Sequence, residues 1–209
     1  MKIKCNLICT CSAIVLFFIS ASTNCFAQVV NVEENMMSGS TKWTSKFDIH
    51  ITPHHITVKI NISLLISNGV NRPGIDEKID AWNNAINSIW NNRFYTYLEN
   101  KKLPIKINVK FTHHQPHHRV VVHPGRWVPN QHNWHMETPS NVIAHEIGHM
   151  LGAYDEYRGG ALSPVKLIDT TSIMGSKPIK SVAYPRHLAL LEKKLISLSG
   201  NKQLKIKQY

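Results

Sequence analysis

Apolar and polar residues alternate along two stretches near the start of the chain, residues 46–52 and 56–66. Alternation with period two and many β-branched residues predicts strands that bury one face. Pro53-His54-His55 lies between them and predicts a hairpin turn. The alternation returns at 103–112, and the β-branched run Arg119–His123 predicts a further short strand.

The longest helical pattern covers residues 76–100, where apolar side chains recur every three or four positions. Such an aromatic-rich stripe could line a ligand groove, but its regular spacing favours a core face packed on a sheet. Two shorter helices are predicted at about 141–151 and 184–198. This order predicts an α/β fold in one domain, residues 46–209, with a mixed twisted sheet, the long packing helix, a central helix and a C-terminal helix.

The first 27 residues differ in character from the rest. Lys2 and Lys4 precede the apolar run Ala13–Ile19, and Cys25-Phe26-Ala27 is a small-x-small site. This pattern predicts a signal peptide cut after Ala27, because the apolar run is shorter than the ~20 residues of a membrane-spanning helix. The protein is then secreted or periplasmic. Residues 28–45 are polar, contain Gly and Ser, and predict a flexible N-terminal arm.

The positions of the cysteines and the net charge limit the kinds of metal site, crosslink and binding partner that the chain can have. All four cysteines precede the predicted cut, so the mature chain would have neither cysteine metal ligands nor disulfides. The formal net charge of +11 can attract anionic partners such as membranes, cell-wall polymers, nucleic acid or acidic substrates. The solvated surface of a basic secreted protein is the simpler interpretation, because no nucleic-acid-binding motif accompanies the charge.

The strongest chemical signal is His145-Glu146-x-x-His149 on the central helix. Residues four apart share a helix face, so both imidazoles can bind one Zn²⁺, and Glu146 beside them can accept a proton from a zinc-activated water. Gly152 can end the helix in a left-handed turn that brings Asp155 back to the same metal. The alternative is a buried hydrogen-bond network without metal. Zinc explains the spacing better.

The extended pattern His145-Glu146-x-x-His149-x-x-Gly152-x-x-Asp155 resembles the motif of metzincin metallopeptidases, in the Asp-containing variant of small secreted snapalysin-type enzymes. Ser172-Ile173-Met174-Gly175 resembles their Met-turn. The resemblance implies that Met174 supports the zinc ligands from below. It also implies that Glu146 is the general base of peptide-bond hydrolysis.

Three further residues are open to more than one interpretation. Glu156 could replace Asp155 as third ligand or pair with Arg158, although the motif spacing favours Asp155. Tyr157 and Tyr184 could assist the developing oxyanion, but ordinary packing is the favoured interpretation for both.

Histidines are concentrated outside the motif. They could form a second metal site or line the rim of the cleft, with the edge strand near Arg119–His123 pairing with a peptide substrate. The rim is favoured, because the spacing fits no single strand face. The histidines are His113, His114, His117, His118, His123, His132 and His135, with His50, His54 and His55 upstream.

These observations predict a secreted, monomeric zinc endopeptidase acting on protein or peptide substrates, with no specific nucleic-acid partner. Two rival hypotheses remain. One is a non-enzymatic protein that gathers zinc or copper through its histidines, and the other is an amidase acting on cell-wall peptides.

Overall fold

The computed structural model describes residues 28–71, 73–176 and 181–209, so the predicted signal peptide lies outside the described residues. In these ranges the fold is a mixed α/β arrangement of a curled eight-stranded sheet and three α-helices. Within these ranges, no helix is both long and apolar enough to cross a membrane. The elements are β1 (Gln28–Ser38), β2 (Thr41–Ile51), β3 (Ile56–Ile66), α1 (Pro73–Trp90), β4 (Phe94–Leu98), β5 (Lys101–Phe111), β6 (His118–His123), β7 (Asn133–His135), α2 (Ser140–Met150), a 3-10 turn (Pro185–Leu188), α3 (Ala189–Ser199) and β8 (Lys207–Gln208).

The sheet is antiparallel at one end and partly parallel in the middle. β1, β2 and β3 form an antiparallel meander, whereas β3 runs parallel to both β5 and β6. Helix α1 makes the crossover that a parallel β3–β5 pair requires. The predicted mixed α/β sheet with a long packing helix is therefore confirmed, and the predicted strand 56–66 agrees with β3.

The aromatic stripe of α1 is a core face, as expected. Trp82, Ile86 and Trp90 are buried, and Trp82 makes an edge-to-face contact of 5.2 Å with Trp134. Trp90 Nε1 also donates to the carbonyl of Ala144 in α2 at 3.0 Å. Each large side chain buried here contributes about 2–3 kcal/mol to stability, and together they join α2 to the sheet.

The predicted helix 76–100 is too long. Helix α1 ends at Trp90, Asn92 has a left-handed φ of 57°, and Phe94–Leu98 forms β4 against β5. Phe94, Tyr95 and Tyr97 fit both the helical and the strand spacing, so periodicity alone cannot separate the two.

The prediction of a flexible arm at 28–45 is wrong. Strand β1 pairs with β2 along its full length, from Gln28 opposite Ile51 to Ser38 opposite Thr41. Only Val32 of β1 is fully buried, which is why its sequence resembles a polar arm. Its order comes from backbone pairing with β2, which the local pattern does not reveal.

His118 joins β6 to β2 and should make stability depend on pH. Its Nε2 donates to the Lys46 carbonyl at 2.9 Å, and burial lowers its pKa from 6.5 to about 4. The unfolded chain therefore binds the proton first, so stability is complete above pH 6.5 and is lost as the pH falls towards 4, by up to about 3 kcal/mol. We expect His118→Gln to flatten this loss in urea titrations between pH 7 and 4. An unchanged slope would contradict the assignment.

Candidate metal centre

Helix α2 presents two histidines from a buried surface. The helix begins at Ser140 after Pro139, with no side-chain cap of its first turn, and residues 143–150 are all buried. His145 and His149 lie one turn apart on the same face, with ring centroids separated by 4.9 Å. A polar pair in such surroundings requires partners on both ring nitrogens.

Backbone carbonyls determine which ring nitrogens are free. His145 Nδ1 lies 2.8 Å from the carbonyl of Ile173, and His149 Nδ1 lies 3.0 Å from the carbonyl of Ala153. A carbonyl only accepts, so each Nδ1 carries the proton and each Nε2 presents a lone pair in the neutral ring. Backbone carbonyls orient metal-binding imidazoles in the same way.

Gly152 turns the chain so that Asp155 meets these two nitrogens. Its φ is +91°, and an added Cβ would lie 2.7 Å from Leu190 Cδ2, so both the conformation and the packing require glycine. Asp155 Oδ1 lies 3.2 Å from His145 Nε2 and 3.3 Å from His149 Nε2. The other oxygen, Oδ2, accepts from the Ala161 amide at 2.6 Å.

His145, His149 and Asp155 form a trio that requires a positive charge beside the Asp155 carboxylate. Asp155 Oδ1 is buried and finds no hydrogen-bond donor among the described residues. Burial alone would lower the pKa of His149, but the Asp155 and Glu146 carboxylates raise it overall. Either a proton or a metal ion can meet this demand.

The three donor atoms fit a metal ion. All lie within 4.8 Å of one another, and the group is the single cluster of this kind among the described ranges. Ligands of a tetrahedral zinc are about 3.3 Å apart, close to both Asp–His separations. Two neutral imidazoles and one carboxylate also match the donor types that zinc prefers. A buried His145–His149–Asp155 group that could bind a metal ion is therefore present.

Glu146 is beside this group without belonging to it. Its side chain is buried, and burial raises the pKa of its carboxyl group against the opposing effect of His149 and His145. A raised pKa makes the carboxylate a stronger proton acceptor, as a general base requires.

Glu156 points away from the trio, to Arg186. Its two oxygens accept from Arg186 at 2.7 and 2.9 Å, and His187 Nε2 lies 3.3 Å from one of them. Burial alone would raise the pKa of Glu156, but these contacts lower it to about 2. Arg186 also binds Asp169 at 2.6 Å. The suggested partner Arg158 is not the one found, and the carboxylate facing the histidines is that of Asp155.

The turn at 172–175 lies directly beneath α2. The side chain of Met174 fills the space beside Gly148, where an added Cβ would collide with the Met174 sulfur. The turn also supplies the Ile173 carbonyl for His145, and the Met174 carbonyl accepts from the Glu156 amide at 2.8 Å. This turn therefore holds both His145 and the segment that carries Asp155.

The two candidate tyrosines differ in position. Tyr157 lies near the trio, with its ring 6.4 Å from that of His145, and burial together with the charges of Asp155 and Glu146 raises its pKa to about 12. It is therefore a neutral hydroxyl. Tyr184 stacks on the Arg186 guanidinium at 4.2 Å, and its amide donates to His187 at 3.0 Å, so it belongs to the ion-pair cluster around Arg186.

The clustered histidines do not assemble a second metal site of three or more ligands within the described residues. Several make separate structural contacts: His117 pairs with Asp48 at 3.2 Å, and His113 bonds Ser63 at 2.9 Å. His123 and His135 stack at 5.1 Å. The strand at Arg119–His123 was expected to be an unpaired edge of the sheet. Only part of it is unpaired, because β7 pairs with Val121–His123.

Two residues of β2 support the centre and were not predicted. Trp43 Nε1 and Ser45 Oγ both donate to the His149 carbonyl, at 3.1 and 2.9 Å. This carbonyl lies in the last turn of α2, where helix carbonyls lack the amide four residues on, and it also accepts from the Gly152 amide at 3.0 Å. Both residues lie in the stretch taken for a flexible arm, so no local signal marked them.

Comparison with protein-family models, with curated proteins and with solved structures finds no match to this chain.

Proposed function

We propose that the protein is a secreted, zinc-dependent endopeptidase of the metzincin type. The observation that carries the proposal is the convergence of two Nε2 lone pairs and one carboxylate oxygen on a single point, with a buried glutamate adjacent in sequence to the first histidine. Without a metal ion, one of the two imidazoles would have to carry a proton on Nε2 towards Asp155 for these atoms to lie so close together.

His145, His149 and Asp155 would hold the zinc ion. Bound there, zinc supplies a Lewis acid that activates water and polarises a carbonyl. Glu146 accepts the proton of the attacking water on a carboxylate oxygen and passes it to the leaving amine. Tyr157, whose ring lies 6.4 Å from that of His145, would be the candidate donor to a developing oxyanion through its neutral hydroxyl. Met174 supports α2 from below, consistent with a Met-turn.

The metal and the reaction are tested together. We expect the purified mature chain to contain one zinc per molecule by elemental analysis and to cleave casein. Removal of zinc with a chelator should abolish cleavage, and added Zn²⁺ should restore it, because the three donor atoms converge on one metal position. Zinc without cleavage would favour the metal-gathering rival. Inertness towards casein combined with cleavage of cell-wall peptides would favour the amidase.

A further inference from the structure

The sheet splits between β2 and β6. Only Asp48–Ile51 of β2 pair with β3. Farther along β3, at Ile62–Ile66, the neighbouring strand is β6 instead of β2. The Thr41–Phe47 half of β2 pairs with β1 alone. A groove of about 790 Å³ lies between this half of β2 and the start of β6. The His118 side chain reaches across to Lys46, so the strands lie farther apart than the about 4.8 Å of paired strands.

Backbone groups on both sides of the groove are free. The Lys46 carbonyl faces His118, so strand alternation directs the N–H and C=O of Lys42 and Thr44 the same way, away from β1. On β6, the Val121 amide bonds His132 rather than β3, so the backbone of Arg119 also faces the groove. No backbone partner for these groups occurs in the described parts of the chain.

The groove is positively charged. Its lining includes Lys42, Lys46, Arg119 and three histidines but no carboxylate. Lys46 is paired with Glu33 at 2.8 Å, whereas Lys42 and Arg119 have no acidic partner among the described residues. Trp43 also lines the groove, and its ring contacts that of His149 at 5.7 Å. The groove therefore lies beside the metal centre.

We propose that this groove binds an extended, acidic peptide segment as an added strand. Unpaired backbone groups on facing strand edges favour a partner that supplies its own N–H and C=O groups, which an extended peptide does. The unpaired Lys42 and Arg119 favour acidic side chains on that peptide. The inference concerns binding alone and does not depend on zinc or catalysis.

The probe is a fluorescein-labelled peptide of four Glu-Thr repeats, measured by fluorescence anisotropy. The protein carries Glu146→Ala so that the probe is not cleaved. We expect saturable binding that weakens at least five-fold with Arg119→Glu or Lys42→Glu. The charge-matched control Lys106→Glu, at an exposed position of β5, should leave the dissociation constant unchanged. Circular dichroism establishes that each variant is folded.

A second peptide separates strand addition from simple charge attraction. The same sequence N-methylated at every threonine keeps its charge but loses half of its amide donors, and should bind at least ten-fold more weakly. Equal binding of the two peptides would overturn the inference, and so would equal effects of Arg119→Glu and Lys106→Glu. Displacement by polyphosphate without discrimination between the peptides would show that the groove recognises charge alone.

Discussion

Replacement of Glu146 by alanine is expected to abolish casein cleavage while the protein keeps its zinc. The three atoms that converge on the metal position belong to other residues, so loss of the Glu146 side chain should change the metal affinity little. Loss of a general base typically costs about 10²–10⁴-fold in rate. The buried site excludes most solvent, so bulk water is a poor substitute for the carboxylate.

Two further variants make this result interpretable. Glu146→Gln retains the size of the side chain and should be equally inactive, which separates loss of the base from loss of packing. Glu77→Ala removes an exposed glutamate of α1 and should leave kcat/KM unchanged. Undiminished cleavage by both Glu146 variants would remove this residue from the mechanism.

Asp155→Asn is expected to weaken zinc binding by at least about 100-fold, whereas the neighbouring Glu156→Gln should retain zinc and lose stability. Asparagine keeps the shape of Asp155 but removes the charge that faces His145 and His149. Substitution of groups that merely orient ligands already costs about 10–100-fold in metal affinity. Loss of a ligand atom itself should therefore reduce the zinc affinity by more.

Glu156→Gln acts on a different interaction. It removes the charge that Arg186 binds through two hydrogen bonds. Breaking a fully buried ion pair costs about 3–5 kcal/mol, and about 2 kcal/mol is expected here because Arg186 is 38% exposed. Competition with a chromogenic chelator measures the zinc affinity, and urea denaturation of the zinc-loaded protein measures stability. The reverse pattern would make Glu156 the ligand.

Local sequence patterns predicted the secondary structure correctly where the pattern fits only one type of element. Alternation placed β3 correctly, and the spacing of His145, His149 and Gly152 placed the helix that carries both histidines and the turn that follows it. They were unreliable where residues suit two structures. Phe94–Leu98 satisfies helix and strand spacing alike, and only its pairing with β5 decides between them.

The sequence by itself determined the α/β fold class and the residues able to bind a metal, because helix spacing and side-chain chemistry are local properties. Tertiary structure decided which acid faces the histidines. Asp155 and Glu156 are adjacent, and only contact with Arg186 draws Glu156 away. Tertiary structure also decided that β1 and β2 order the N-terminal segment, that Trp43 and Ser45 support His149, and that a groove opens between β2 and β6. Apart from the hairpin of β1 and β2, which are neighbours in sequence, these contacts join residues far apart in the chain, so no local pattern encodes them.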